Sequence, residues 1–306
     1  MPSYSPEQLR LYFERIRYPS SEHPTDPLGF LTDLLNNQLV YVPFETLSLH
    51  YSIDRQISLD HQDLFDKIVS RCRGGYCLEN NTFFGAVLES LGFKVMGVFC
   101  RITCATRGIY DGSWRAMSHM ANIITVNSTR YLIDVGYGAD GPCCPLPLIS
   151  GTVQAGLPGQ QLRLEKKNLP QHTDPTQMVW VYSQRREPEE WQEIYHFPDV
   201  EMFTEDFEVL NHYAVTKSLW SKVVVAQRFV LGVGDGKGEG KGEERRMEGT
   251  LLLIRDQLKS RVGQEEEVVR SIENEAERIS VLEEDFGICL AWEECRAIEG
   301  YVSEIK

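Results

Sequence analysis

No two cysteines of this chain stand in a C-x-x-C pair, although the chain has eight cysteines. That absence removes the usual ligand spacing of a structural zinc site and of a thioredoxin-like redox pair. Cys72, Cys77, Cys100, Cys104, Cys143, Cys144, Cys289 and Cys295 are spread over 306 residues, whereas a disulfide framework is the mark of short secreted chains. No apolar run reaches the roughly 18 residues that a membrane-spanning helix needs. The opening Met1-Pro2-Ser3-Tyr4-Ser5-Pro6 lacks the basic-then-apolar pattern of a signal peptide. Positive charge is also short: 31 Lys and Arg against 45 Asp and Glu leave a net charge of -14. Nucleic acid and anionic membranes are therefore poor candidates for the main partner. Together these absences predict a reduced, cytoplasmic, metal-free protein.

The chain does have an ordinary globular composition, 42% hydrophobic and 25% charged, and enough length for two or three subdomains. One stretch runs against the acidic balance. Between Leu91 and Arg130 the basic residues Lys94, Arg101, Arg107, Arg115 and Arg130 face the single acid Asp111. Such a strip suits an anionic small molecule, and equally suits solvated strand faces.

The first ninety residues read as helical. Ser5-Pro6-Glu7-Gln8 supplies an N-cap, a proline at the first helical position and a capping-box partner. A second helix follows Asp26-Pro27 and is broken at Val42-Pro43-Phe44-Glu45; a third covers about Asp60 to Arg71, and a fourth begins at Cys77 and ends near Gly92. Val95 to Thr103, Met120 to Val126 and Tyr131 to Val135 are then short, β-branched and aromatic-rich, and Asn127-Ser128-Thr129 predicts a hairpin. Further strands are expected at Gln161–Glu165, Val179–Ser183 and Glu193–Phe197, which makes the middle an all-β sandwich or barrel. Gly232 to Arg246 is a Gly/Lys/Glu stretch that reads as a solvated loop. It lacks the GxxxxGK[ST] pattern of a phosphate-binding loop. Strands at Thr250–Ile254 and Glu267–Ile272 and a helix from Asn274 to about Phe286 complete a small α/β unit.

The stretch Arg73-Gly74-Gly75-Tyr76-Cys77-Leu78-Glu79-Asn80-Asn81 puts a thiol after a glycine turn and at the start of a helix. Unpaired N–H groups and the helix dipole there favour negative charge, and thiolate is the nucleophilic form of cysteine. A cysteine nucleophile needs a base within reach and a third group to orient that base. His119 begins one strand of the predicted hairpin and Asp134 ends the other. Pairing Val126 with Tyr131 would set His119 opposite Gly138, on the same face as Asp134, with bending at Gly136 and Gly138 to close the gap. Each residue also has an ordinary structural reading, as a core histidine or as a turn cap. The residues alone leave both open.

RGGYCLENN around Cys77, SHMANIITV around His119 and RYLIDVGYG around Asp134 closely resemble the three signature blocks of the arylamine N-acetyltransferases, and Val42-Pro43-Phe44-Glu45 resembles a further block. The resemblance is dense from Arg71 to Pro147 and thins after Phe229. It implies an α+β fold of three subdomains: an N-terminal helical bundle (1–92), a central antiparallel β-barrel or sandwich (93–215) and a C-terminal α/β lid (216–306), with a Cys-His-Asp triad between the first two. It further implies that Cys77 accepts the acyl group, His119 is its base and Asp134 orients His119. Arg73 and Glu79 would brace the loop, and Phe44 and Tyr137 would line the acceptor pocket. The activity implied is ping-pong transfer from an acyl-CoA to an aromatic amine, hydrazine or hydroxylamine.

Where members of that family carry small residues ahead of the histidine, beside the CoA pyrophosphate, this chain has Arg115 and Ala116. Arg115 suits a CoA phosphate, or a donor whose acyl group bears a carboxylate, and equally an exposed loop. Some fungal members of the family that the chain resembles are described as N-malonyltransferases, and that resemblance sets malonyl-CoA beside acetyl-CoA as the expected donor. Thr216 and Ser218 fall where relatives carry a CoA-contacting Thr/Ser block, here without its proline. A transglutaminase-like amidase, which would need no CoA, is the rival reading. Papain-type enzymes are disfavoured because their histidine lies roughly 130 or more residues beyond the cysteine, much farther than His119 lies from Cys77.

Overall fold

Ser5 caps the first helix as its sequence suggests: Gln8 N–H donates to Ser5 Oγ at 3.3 Å and Ser5 N–H to Gln8 Oε1 at 3.0 Å. The computed structural model describes residues 4–19, 25–104, 111–186, 188–232, 246–263 and 265–306. Most of the expected Gly232–Arg246 loop lies outside these. Helix α1 (Pro6–Arg15) is followed by α2 (Pro27–Tyr41), capped by Asp26, by α3 (His61–Phe65) with a π turn over Asp66–Ser70, and by α4 (Cys77–Ser90).

Among the described residues, thirteen strands form two antiparallel sheets. The larger contains β2 (Lys94–Thr103), β3 (Trp114–Val126), β4 (Thr129–Ile133), β5 (Leu146–Pro147), β6 (Val153–Ala155), β7 (Gln160–Lys167), β8 (Val179–Arg186) and β9 (Gln192–Phe197), in the order β5-β4-β3-β2-β9-β8-β7-β6. Edge strand β5 packs against β7, so the sheet curls into a nearly closed barrel. The smaller runs β1 (Phe44–Glu45), β10 (Val225–Leu231), β11 (Met247–Ile254), β12 (Gln257–Val262) and β13 (Glu265–Ser271). Helix α5 (Thr204–Lys217) links the sheets and crosses position 215; α6 (Glu275–Phe286) and α7 (Trp292–Ala297) follow the smaller sheet. One core joins the helices to the barrel, with Phe83, Phe84 and Val87 of α4 in the same cluster as Ile123 and Ile124 of β3 and Leu132 of β4.

The β3–β4 hairpin differs in register from the sequence expectation. Val126 pairs with Thr129, not Tyr131, because the turn holds only Asn127 and Ser128, with φ of 48° and 67°. Two successive left-handed residues are the turn whose twist matches a hairpin. The shift is of two positions, so His119 and Asp134 keep a common face. Continued to Asp134, the register sets it opposite Ala121, which makes His119 its diagonal neighbour. Diagonal neighbours are within reach of long side chains, so less bending is needed than the expected pairing demanded.

Candidate active site

Two close approaches of backbone place the thiol. Gly75 pairs with Phe44 in a parallel bridge, and Glu45 N–H donates to Gly75 O at 3.0 Å. A Cβ on Gly74 would meet Pro43 O at 1.8 Å, and one on Gly75 would meet Glu79 Cβ at 2.5 Å. Only glycine fits this turn. Beneath it lies a buried charge network. Glu45 accepts from Arg73 Nε at 2.9 Å and from Leu47 N–H at 2.6 Å; Lys67 Nζ lies 2.6 Å from Glu79 Oε1 and 3.5 Å from Glu45 Oε1. Glu79 Oε2 accepts from Tyr76 N–H at 3.0 Å, and Glu294 of α7 approaches Arg73 at 3.5 Å. Burial alone would raise the Glu45 carboxyl, but Arg73 and Lys67 outweigh it and hold the group below its usual range.

Cys77 therefore occupies the first position of α4, buried, with Sγ 3.9 Å from Ser118 O. Ser118 is the extra residue of a bulge: Cys100 pairs with His119 and Arg101 with Met117. Bulges re-aim the groups beside them, and this one turns a β3 carbonyl toward the thiol.

His119 Nε2 lies 2.6 Å from Asp134 Oδ2. A carboxylate only accepts, so Nε2 carries the proton and Nδ1 is left for Cys77. Burial pulls the pKa of His119 down, but Asp134 and then Cys77 outweigh that and raise it. Asp134 is held by three donors. Its Oδ1 accepts from Asn81 Nδ2 at 3.0 Å and from Gly136 N–H at 2.9 Å, besides the His119 contact at Oδ2. Burial would push this carboxyl up; the His119 charge and these hydrogen bonds bring it below its ordinary value. A Cβ on Gly136 would meet Cys77 Cα at 2.7 Å, so glycine lets the loop after Asp134 pass directly over the helix start.

The three residues singled out in the sequence are thus brought together in one buried cluster. Tyr137 meets the His119 ring edge-on at 5.1 Å, and its hydroxyl is buried with no hydrogen-bond partner among the described residues. Burial, then Asp140 and Asp134, drive that hydroxyl well above its ordinary range, while the Arg115 guanidinium opposes them. Arg115 is half-buried on β3 and close enough to be felt there; Ala116 is exposed. Phe44 meets Trp220 edge-on at 5.6 Å and packs in the apolar cluster that contains Cys77. Thr216 is exposed on the last turn of α5, with its hydroxyl bonded to His212 O at 2.8 Å; Ser218 is the C-cap of that helix, with its Oγ buried.

Asn81 and Tyr195 received no role from the sequence. Asn81 lies one turn after Cys77, on the same helix face, and it stitches α4 to the barrel through Asp134, Met120 O at 2.8 Å and Val135 N–H at 3.1 Å. That spacing was the available signal. The Tyr195 ring packs at a tilt 5.4 Å from His119 and 5.3 Å from Tyr137, from a strand with no motif to mark it. The cavity of about 210 Å³ lined by Asn81, Thr82, Met120 and Phe207 lies beside the triad without Cys77 or His119 in its lining. Among the described residues, no group of three or more His, Cys, Asp or Glu could hold a metal ion, and no helix is long and apolar enough to cross a membrane.

A family model described as N-acetyltransferase matches residues 27–295. The chain is 31% identical to N-malonyltransferase FDB2 of Fusarium pseudograminearum, over 96% of this chain and 92% of that one. Among solved structures, an arylamine N-acetyltransferase from Mycobacterium abscessus superposes with a TM-score of 0.79 at 21% identity, covering 97% of this chain and 95% of that one. The Mycobacterium marinum arylamine N-acetyltransferase in complex with CoA gives a TM-score of 0.76 at 25% identity, covering 97% and 99%.

Proposed function

Because the chain belongs to the arylamine N-acetyltransferase family of acyltransferases, we propose that it transfers an acyl group from acyl-CoA to an arylamine, hydrazine or arylhydroxylamine through a Cys77 thioester. The observation that carries this reading is the buried thiol at a helix start, facing an imidazole that Asp134 orients at 2.6 Å. The Cys77 thiolate, its proton held on Nδ1 of His119, attacks the thioester carbonyl. The new C–S bond forms as the bond to CoA breaks, and CoA leaves as a thiol by taking that proton, which returns His119 to its neutral form. Exchange between thiolates of similar leaving ability is nearly balanced. The amine then attacks the acyl-cysteine, His119 takes its proton, and the Cys77 thiolate is regenerated with the N-acyl product. Unpaired backbone N–H groups at the start of α4 would donate to the oxyanion in both steps. Burial of the thiol limits hydrolysis of the intermediate.

Acetyl-CoA and malonyl-CoA are the candidate donors, and the similarity to an N-malonyltransferase favours the second. We take Arg115, whose charge is felt at the Tyr137 hydroxyl beside His119, as the residue that would pair with a carboxylate on the acyl group. Steady-state rates with both substrates varied should give parallel double-reciprocal lines, and intersecting lines would oppose a ping-pong route. In the same assay, Arg115→Ala is expected to lower the malonyl-to-acetyl preference about 10- to 100-fold, the worth of one charge-assisted hydrogen bond. An unchanged ratio would remove Arg115 from donor choice.

A further inference from the structure

Met120 and Phe207 line the cavity of about 210 Å³ and also pack in the apolar cluster that contains Cys77. They form a partition between the two, since Cys77 is absent from the lining. The room comes from residues with little or no side chain: Gly85 and Ala86 of α4 and Gly97 of β2 face it. A cavity of roughly 150 Å³ already holds benzene. One six-membered ring with a short polar head is therefore the size of ligand that fits.

The polar groups of the lining decide the charge of that head. Asn81 is fully engaged, because its Nδ2 donates to Asp134 and Met120 O and its Oδ1 accepts from Val135 N–H. Thr82 donates its hydroxyl to Met120 Sδ at 3.5 Å. Asn122 differs. It is 1% exposed, and its Nδ2 donates to Asn81 O at 2.8 Å, which fixes the way round that the amide lies. Its Oδ1 then has no hydrogen-bond partner among the described residues. Gly85 leaves that oxygen uncovered, since a Cβ there would lie 3.4 Å from it. A buried acceptor without a donor costs free energy until a donor reaches it. Two carboxylates are added by Glu89, half-buried on α4, and by Glu201, which is exposed. Neither has an ion-pair partner among the described residues, whose one basic side chain in this lining is His61.

We propose that this cavity is a second binding site, separate from the reaction chamber, for a small flat cation with N–H donors, of the aryl amidinium class. Its ring occupies the space left by Gly85 and Gly97 against Phe207, and its N–H groups donate to Asn122 Oδ1 and to the Glu89 carboxylate. Charge-assisted bonds of that kind are the strong ones. A neutral amide of the same shape would turn its own oxygen toward acceptors and leave polar groups unpaired. Binding there requires no acyl-CoA and no step at Cys77.

The probe is benzamidinium chloride, titrated into the full chain and followed by NMR. It should saturate with a Kd of about 1 mM or below, the range open to a fragment of about nine heavy atoms. Benzamide, which has the same shape without the charge, should bind at least about 10-fold more weakly. Gly85→Ala, whose methyl covers Asn122 Oδ1, should weaken benzamidinium about 10-fold, and Glu89→Gln about 3- to 5-fold, as suits a half-exposed charge. Alanine favours a helix over glycine, so the first variant should fold, and Glu89→Gln decides if it does not. No saturation well above 1 mM, equal binding of benzamide, or unchanged affinity in either variant would overturn the proposal.

Discussion

Asparagine at position 134 is expected to slow acyl transfer by about 10³–10⁴-fold, the scale on which a mis-set histidine tautomer acts. The hydrogen bonds determine which way the amide must sit. Oδ1 of Asp134 accepts from Asn81 Nδ2 and Gly136 N–H, so an oxygen is required there and the NH₂ group must face His119. Its Nε2 would then have to accept, which moves the ring proton to Nδ1, against Cys77. A protonated Nδ1 cannot take a proton from the amine or the thiol. His119 would also lose the carboxylate that raises its pKa, so it would give up its second proton at lower pH. Iodoacetamide should then alkylate Cys77 more slowly at neutral pH, while thermal unfolding moves little. Near-normal turnover in Asp134→Asn would show that the carboxylate is a structural cap.

Arg73→Met is expected to cost about 3–5 kcal/mol of stability, the usual penalty for orphaning one member of a buried ion pair. Glu45 is fully buried, and among the described residues its carboxylate would keep, without Arg73, the Leu47 N–H and a Lys67 contact at 3.5 Å that Glu79 shares. The same arginine reaches Glu294 of α7 at 3.5 Å, so the loss would also loosen a helix far away in sequence. Urea denaturation measures it. Glu45→Gln combined with Arg73→Met should recover part of the loss, because the uncompensated charge is gone. A loss below about 1 kcal/mol in the single variant would mean that water or Lys67 replaces the arginine, as exposed ion pairs allow.

The features that could be read from sequence are those fixed by neighbouring residues. Ser5 and Asp26 cap the helices they precede, the glycine turn puts Cys77 at the start of α4, and strand parity puts His119 and Asp134 on one face even though the expected register was two positions off. Long-range pairing was not legible. β1 is two residues long and exists because β10, far along the chain, lies beside it. Nothing local marks Phe44–Glu45 as a strand. Helix α5 was missed for a different reason: Phe207, Leu210 and Ala214 are buried while Val209 and Tyr213 are exposed, so no clean apolar stripe announces it. The segment after α5 had the same difficulty. The resemblance marked Thr216 and Ser218 there, whereas the side chains that pack on the cluster of Cys77 are Val215 and Trp220, and the Trp220 carbonyl is held by His50, itself bonded to Ser303.

The central claim is that Cys77 carries the acyl group between donor and amine. Intact-mass and peptide mass spectrometry after mixing with acetyl-CoA or malonyl-CoA, without amine, tests it most directly. One acyl group is expected on Cys77, discharged as N-acyl product when an arylamine is added, and none in Cys77→Ser. No adduct on Cys77 with either donor, or an adduct that persists in Cys77→Ser, would contradict it.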